Sequence, residues 1–321
     1  MMCDGDLAYM FLCNAMEKFQ LKEIQMNLCL NILGILSILG VACLSIILII
    51  SYFENRKLLV TKYSINDNRI PDNFRGFHIV QLSDLHNASF DEANSKLYGV
   101  INELAPDIIV ITGDMIIGKP GMDVIQVVEF MNSLCKIAPV YFSMGNHELR
   151  VSLYADTYGN MWKVFMEHIS PDVHLLFDET ADIIRGDEKI SLYGLNLTPE
   201  LYKRFKHTPM PENYLSELFG TCNRKNYHIF MAHNPDYFPD YVKWGANLTF
   251  SGHVHGGMIR IPWLGGALSP MIHFFPKYDK GVFQIGEQYM VLSGGLGNHT
   301  FKFRVNNLPE VVSVTLNADE M

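Results

Sequence analysis

The sequence predicts an α/β protein: a two-sheet β-sandwich flanked by helices, preceded by one transmembrane helix. Three observations lead there. A run of 30 residues, Ile24 to Phe53, holds no charge. Between Gly76 and Met144, short apolar strand patterns alternate with helix patterns, which implies βαβ units and a largely parallel sheet. From Leu175 to Leu316 strand patterns dominate, so a second sheet packs on the first with helices outside.

The anchor comes first in the chain. Ile32 to Ile50 is Ile, Leu, Val, Ala and Gly, interrupted only by Ser37, Cys43 and Ser45. About 20 such residues span a hydrocarbon core as a helix. A buried core helix would keep a polar stripe, which this run lacks. A cleaved signal needs a shorter apolar region and a small-residue site. Cys43 is no lipoprotein site, because the run continues past it. The chain thus divides into a tail at 1–26, a transmembrane helix at 27–53 and one domain at 54–321. Lys18 and Lys22 precede the helix; Arg56, Lys57 and Lys62 follow it. That excess of one charge leans towards a cytoplasmic domain. A translation start at Met26 would remove both preceding lysines and strengthen the lean.

The remaining elements follow in order. Lys57–Ile65 reads as a strand into the domain. Gly76–Leu82, Asp107–Thr112 and Pro139–Met144 read as buried strands, with helices at Glu92–Leu104 and Val124–Ile137 between them. The second half offers strands at Leu175–Phe177, Lys189–Leu195, Tyr227–Ala232, Asn247–Ser251, Gly281–Ile285, Gln288–Ser293 and Val311–Leu316. No repeat or low-complexity tract interrupts them.

Composition narrows the function. Of 321 residues 49% are apolar and 18% charged, which fits a large core plus one lipid-embedded segment. The net charge of −9 argues against a nucleic-acid partner held through phosphates. Six cysteines include no CxxC pair, and only Cys135 and Cys222 fall in the domain. They leave room for one bridge, but free buried thiols are the reading taken.

The polar residues that carry chemistry each follow an apolar strand. Asp84 and His86 follow HIVQL, and Asp114 follows IIVIT. Asn146, His147 and Glu148 follow VYFSM. His233 follows HIFMA, and His253 and His255 follow NLTF. Parallel strands of one sheet bring their C-terminal ends to one edge, where ligands bind. The turn must aim Asp84 and His86 inward together, while His253 and His255 share a side if extended. Imidazole with carboxylate suits Zn, Mn or Fe. A carboxylate can bridge two cations about 3.5–4 Å apart. Gly113, Gly145, Gly252 and Gly256 let the backbone approach such ions. Any one histidine here is an ordinary polar residue; five clusters in order are not. His78, His168, His174, His207, His228, His273 and His299 keep the ordinary reading, with His299 the one to watch in its glycine-rich stretch.

In this combination the sequence resembles the calcineurin-like metallophosphoesterase superfamily, whose pattern D-x-H, GD, GNH[E/D], H and GHxH is matched from about Lys57 onward. The resemblance implies a four-layer sandwich and a binuclear centre. Asp84, His86 and His255 would hold one metal. Asn146, His233 and His253 would hold the other, Asp114 would bridge, and His147 would assist the transition state without binding metal. The anchor, the SDLHN motif and Val305–Glu310 are similar to a membrane-anchored branch likened to UDP-2,3-diacylglucosamine diphosphatases. Gly113-Asp114-Met115 lacks the arginine that follows this motif in phosphoprotein phosphatases, which counts against phosphoserine as substrate.

The expected reaction is hydrolysis of a phosphodiester or diphosphate, on an amphipathic or lipid-linked substrate. A water bridging two divalent ions becomes hydroxide near neutral pH and attacks phosphorus in line. His147 donates to the leaving oxygen, and Glu148 either orients His147 or forms a solvated turn. A phosphomonoesterase, a cyclic-nucleotide phosphodiesterase and a membrane-anchored scaffold are the alternatives. Met258–Tyr278 is apolar for a loop, with prolines 262, 270 and 276 against one continuous helix. It is either a self-packed cap or an apolar wall for a membrane or acyl chain.

Overall fold

The computed structural model describes residues 4–203, 208–268, 274–298 and 303–318, with side chains from Leu12 onward. Contacts divide the chain into two units, Met1–Ile50 and Ser51–Met321. The first is a single helix belonging to Asp4–Glu54, whose last turn lies in the second unit. Its Leu12–Glu54 portion is long and apolar enough to cross a membrane, and its most apolar 18-residue stretch has a mean hydropathy of 2.9. Apolar side chains project all round it, as a lipid-facing helix requires and a core helix does not.

The second unit holds fourteen strands among the described residues. They are β1 (Leu59–Asn66), β2 (Phe77–Leu82), β3 (Ile108–Ile111), β4 (Val140–Phe142), β5 (Val173–Leu175), β6 (Glu179–Arg185), β7 (Glu188–Leu195), β8 (Tyr227–Ala232), β9 (Leu248–Ser251), β10 (Ile259–Ile261), β11 (Gly265–Leu268), β12 (Gly281–Ile285), β13 (Gln288–Leu292) and β14 (Glu310–Asn317). Two six-stranded sheets form, in the orders β1-β14-β2-β3-β4-β5 and β12-β13-β9-β8-β7-β6. Within the first only β14–β2 is antiparallel. In the second the outer pairs β12–β13 and β6–β7 are antiparallel and the inner four strands run parallel.

Side-chain alternation builds the layers. Ile79 and Val110 of the first sheet, with Ile229, Met231 and Phe250 of the second, fill the space between sheets. The opposite faces of the same strands, Val80, Ile109 and Ile111, pack under helices Ser95–Leu104 and Ile125–Leu134. Phe230 and Ala232 pack under Phe238, Tyr241 and Trp244 of helix Phe238–Trp244. The result is helix, sheet, sheet, helix. Buried Gln81 on β2 donates to Ser251 O on β9 at 2.8 Å and ties the sheets together beside the site.

Several expected boundaries move. The helix expected at Glu92–Leu104 is a 3-10 turn, Glu92–Asn94, then an α-helix from Ser95, broken by left-handed Ala93 and Asn94. The strand placed at Leu175–Phe177 is Val173–Leu175; Asp178 then turns the chain, at φ +60°, into β6, which the sequence reading missed. Cys135 and Cys222 are free thiols. Of the apolar loop expected at 258–278 the structure describes 258–268 and 274–278, and residues 269–273 lie outside the described residues; β10 and β11 form a hairpin whose Trp263 and Leu264 face solvent.

Candidate metal centre

The strand ends assemble the site, but from two sheets and not one. Asp84 and His86 follow β2, Asp114 follows β3, and Asn146 and His147 open helix Asn146–Leu153 after β4, all in the first sheet. His233 follows β8 and His253 and His255 follow β9, in the second. Packing the sheets face to face puts both sets of C-terminal ends on one rim. Asp84, His86, Asp114, His253 and His255 all sit at positive φ, between 48° and 75°. His253 and His255 are therefore on a turn and do not share a strand face. Left-handed non-glycine residues cost on the order of 1–3 kcal/mol each and cluster where function demands them.

Glycines permit the approach at two points. A Cβ on Gly145 would lie 2.2 Å from Asp114 Oδ1, and one on Gly252 would lie 2.0 Å from Ser83 Oγ and 2.4 Å from Asp84 Oδ2. Both carboxylates are thus seated against bare backbone.

The side chains form overlapping clusters. Ligand atoms of Asp84, His86 and His255 lie within 4.8 Å of one another, as do those of Asp114, His233 and His253, and those of His86, Asp114 and His147. His255 Nε2 is 3.1 Å from His86 Nε2 and 3.3 Å from Asp84 Oδ1. Asp84 also accepts from Ser83 Oγ at 2.6 Å and from the His253 N–H at 3.1 Å.

Backbone carbonyls set the histidine tautomers. His233 Nδ1 is 2.6 Å from Thr112 O, and His255 Nδ1 is 3.3 Å from Gly297 O. A carbonyl only accepts, so these Nδ1 atoms hold protons, and each Nε2 faces inward as the nitrogen that coordinates a cation once it is deprotonated. His233 Nε2 stands 3.1 Å from Asp114 Oδ2 without a hydrogen bond of normal geometry. Asn146 Oδ1 and His253 Nε2 are buried and also lack a hydrogen-bond partner. Electron-rich buried atoms gathered in this way fit a cation, since each would otherwise lose its hydration for nothing. His147 differs: the Gly118 N–H donates to its Nδ1 at 2.6 Å, so its proton sits on Nε2. That leaves Nε2 a donor facing Asp114 Oδ2, 3.9 Å away.

The field agrees with this division. Burial opposes ionisation of Asp114, but His233, His147 and His86 outweigh it and hold the carboxyl well below the usual range. Burial would lower His233, yet Asp114 and then Asp84 push it up to about 9. Burial, with other imidazoles nearby, keeps His253 low, and burial keeps His255 low, so both stay neutral and able to coordinate.

Glu148 does not form the solvated turn that the sequence allowed. It is fully buried and does not touch solvent as a turn would. Its Oε2 accepts from the Asp114 N–H at 2.8 Å and the Gly145 N–H at 3.0 Å, and its Oε1 from the Ile116 N–H at 3.0 Å. Burial and then the Asp114 carboxylate push Glu148 up to about 7, against those donors. Three N–H groups on both oxygens are what a carboxylate accepts, so the ionised form is the one this geometry holds.

Other residues behind the site were missed. Arg304 is buried and donates to the carbonyls of Gly294, Gly295, Gly297 and Asn307, fixing the loop on which His255 leans. Asn307 donates to the carbonyls of His255 and Gly257 at 2.7 and 2.6 Å. Tyr202 sets its ring edge-on to His253 at 5.4 Å. Only the polar stretch before Pro309 hinted at any of them. His78, His168, His174 and His228 are ordinary polar residues bonded or stacked elsewhere. His207, His273 and His299 lie outside the described residues.

Comparison with known proteins follows this geometry. The family model described as calcineurin-like phosphoesterase matches residues 77–257. The Bacillus subtilis metallophosphoesterase YkuE is 29% identical over 83% of this chain and 87% of its own length. The UDP-2,3-diacylglucosamine pyrophosphatase LpxG of Chlamydia trachomatis is 24% identical over 81% of this chain and 90% of its own. A zebrafish (Danio rerio) transmembrane protein with a metallophosphoesterase domain is 23% identical over 80% of this chain and 57% of its own.

Proposed function

The chain belongs to the calcineurin-like phosphoesterase family and is a hydrolase acting on phosphoester bonds; from that premise we propose that it is a membrane-anchored, two-metal enzyme that cleaves a diphosphate or phosphodiester of an amphipathic, lipid-linked substrate. Asp84, His86 and His255 would hold one cation, Asn146, His233 and His253 would hold the other, and Asp114 would serve both. Mn, Fe or Zn suits this mixture of imidazole, carboxylate and amide oxygen. The observation that carries the reading is the gathering of buried ligand atoms around Asp114: Asn146 Oδ1 and His253 Nε2 have no hydrogen-bond partner, and His233 Nε2 lies 3.1 Å from Asp114 Oδ2.

When bound, the cations supply a water of lowered pKa and positive charge for the phosphoryl oxygens. The chain's own residues do the rest. Thr112 O and Gly297 O orient His233 and His255. Glu148 holds the Asp114 turn against the N-terminus of helix Asn146–Leu153. His147, neutral with its proton on Nε2, donates a hydrogen bond to the leaving oxygen or to the equatorial charge. Such help is typically worth about 10²–10⁴ in rate.

The substrate class rests on the resemblance to the Chlamydia pyrophosphatase and on the apolar helix, which would keep the domain beside lipid. The division into a tail at 1–26, an anchor at 27–53 and a catalytic domain at 54–321, facing the cytoplasm, belongs to the same reading. A substrate panel tests it. UDP-2,3-diacylglucosamine should be hydrolysed at a higher kcat/KM than bis-(p-nitrophenyl) phosphate, p-nitrophenyl phosphate or a cyclic nucleotide. Turnover confined to the monoester or the cyclic nucleotide would reject the lipid-linked diphosphate.

A further inference from the structure

The hairpin that follows the histidine pair, and Phe274 and Phe275 beyond it, expose large apolar side chains. Trp263 is 103% exposed, Leu264 68%, Phe274 72% and Phe275 58%. Large apolar groups gathered on one exposed segment of a folded domain mark a surface that meets something apolar. Their packing into the protein is not hidden elsewhere: Pro262 and Trp263 form the turn between β10 and β11, and Trp263 adopts φ +66° there.

The hairpin's base shows where this surface lies. Arg260 N–H donates to Val305 O at 2.9 Å, and Val305 N–H donates to Met258 O at 3.0 Å. The same short segment reaches the last turn of the long helix on its other side. Arg304 N–H donates to Ser51 Oγ at 2.9 Å, and Asn307 N–H donates to Glu54 Oε2 at 3.3 Å. Residues 304–307 are therefore sandwiched between β10 and Ser51–Glu54. The charge-free run ends at Phe53, so this turn marks the level at which the chain leaves the hydrocarbon. Tyr52 and Phe53 are exposed there, and the Arg56 guanidinium lies 3.6 Å over the Tyr52 ring. Aromatic and basic side chains together are the signature of a membrane–water interface.

We propose that the hairpin and the Phe274–Phe275 pair beside its second strand form a second membrane contact: the domain rests on the bilayer surface through Trp263, Leu264, Phe274 and Phe275, beside the point where the helix enters it. The chemistry of the patch fits headgroups above acyl chains. Exposed Lys277, two residues after Phe275 and with its Nζ 4.7 Å over the Tyr278 ring, offers a cation to lipid phosphates, while Arg260 is already matched by Asp279 at 2.9 Å. Trp263 carries an apolar ring with one polar N–H, which suits that boundary. Because β10 begins four residues after His255, the contact sets the metal centre facing a fixed depth of the lipid surface. The inference rests on the reading of the helix as an anchor.

The test uses the full chain in phosphatidylcholine–phosphatidylglycerol vesicles whose acyl chains are brominated near the headgroup, with Trp263→Phe beside wild type. Both should float with the vesicles and hydrolyse bis-(p-nitrophenyl) phosphate alike. Bromine should quench tryptophan emission in wild type, and that quenching should vanish in the variant, because Trp244 is buried and Trp162 half-buried. Failure of both chains to float would remove the anchor and this proposal with it. Flotation with equal quenching in the two chains would leave the anchor standing and overturn the hairpin contact. So would a detergent-stable dimer that Trp263→Ser dissociates, which would give the patch to a second copy.

Discussion

Glu148→Gln is the perturbation whose size the structure defines best. The carboxylate accepts three buried backbone N–H groups, from Asp114, Gly145 and Ile116. Glutamine keeps the shape but turns one oxygen into a donor. In its better orientation the amide oxygen keeps Asp114 and Gly145, and the NH₂ meets the Ile116 N–H head-on. The two buried donors left facing each other cost about 1–3 kcal/mol each, and the two surviving bonds lose their charge assistance at about 1 kcal/mol each. The sum is roughly 6 kcal/mol, which for a domain of this size lowers the melting midpoint by on the order of 15 °C. The loosened turn carries Asp114, so metal affinity should fall by about 10–100-fold, as for other groups that hold a ligand in place. Thermal denaturation of the metal-free chain and chelator competition for Mn²⁺ measure the two effects. A Glu148→Gln chain that melts and binds metal as wild type does would refute the reasoning.

His147→Ala should lower the rate by about 10²–10⁴ while metal content stays near wild type; atomic absorption on the purified variant checks this, and loss of an ion would make His147 a ligand. Metal binding should tighten as pH rises. His233 holds a proton up to about 9 in the metal-free site, and coordination needs that Nε2 lone pair, so raising the pH removes the competitor. Chelator competition between pH 6 and 8 reads it, and a flat profile would contradict it. The same shift gives the metal-free chain a stabilisation that is complete below the ordinary histidine value, about 6.5, and lost as pH rises towards 9. Its melting midpoint should therefore fall across that window.

Much of the fold was legible because the buried strands are short apolar runs with polar residues immediately after them. HIVQL, IIVIT and HIFMA announce strand and site together. The edge strand Glu179–Arg185 was not legible, since its alternating exposure leaves no apolar run to see. The division of the ligands between two sheets was also hidden, because strand order is set by tertiary packing and not by local pattern. Asp84, His86, Asp114, Asn146, His147, His233, His253 and His255 stand out in the sequence as polar side chains at glycine-flanked strand ends, and the structure gathers the Asp and His residues among them into overlapping clusters. Glu148, Arg304 and Asn307 could not be given roles. They act through backbone N–H and C=O groups, and nothing in a side-chain pattern reveals which carbonyl or amide will face them.

The central claim is that Asp114 joins two cations in one hydrolytic site. The most direct measurement is the metal content of the purified full chain by mass spectrometry, wild type beside Asp114→Asn, with phosphodiester hydrolysis followed on the same samples. Wild type should carry about two divalent ions per chain, and chelation should abolish its activity until metal is restored. Asp114→Asn should lose at least one ion and most of the activity. An Asp114→Asn chain that keeps both ions and full activity would contradict the account.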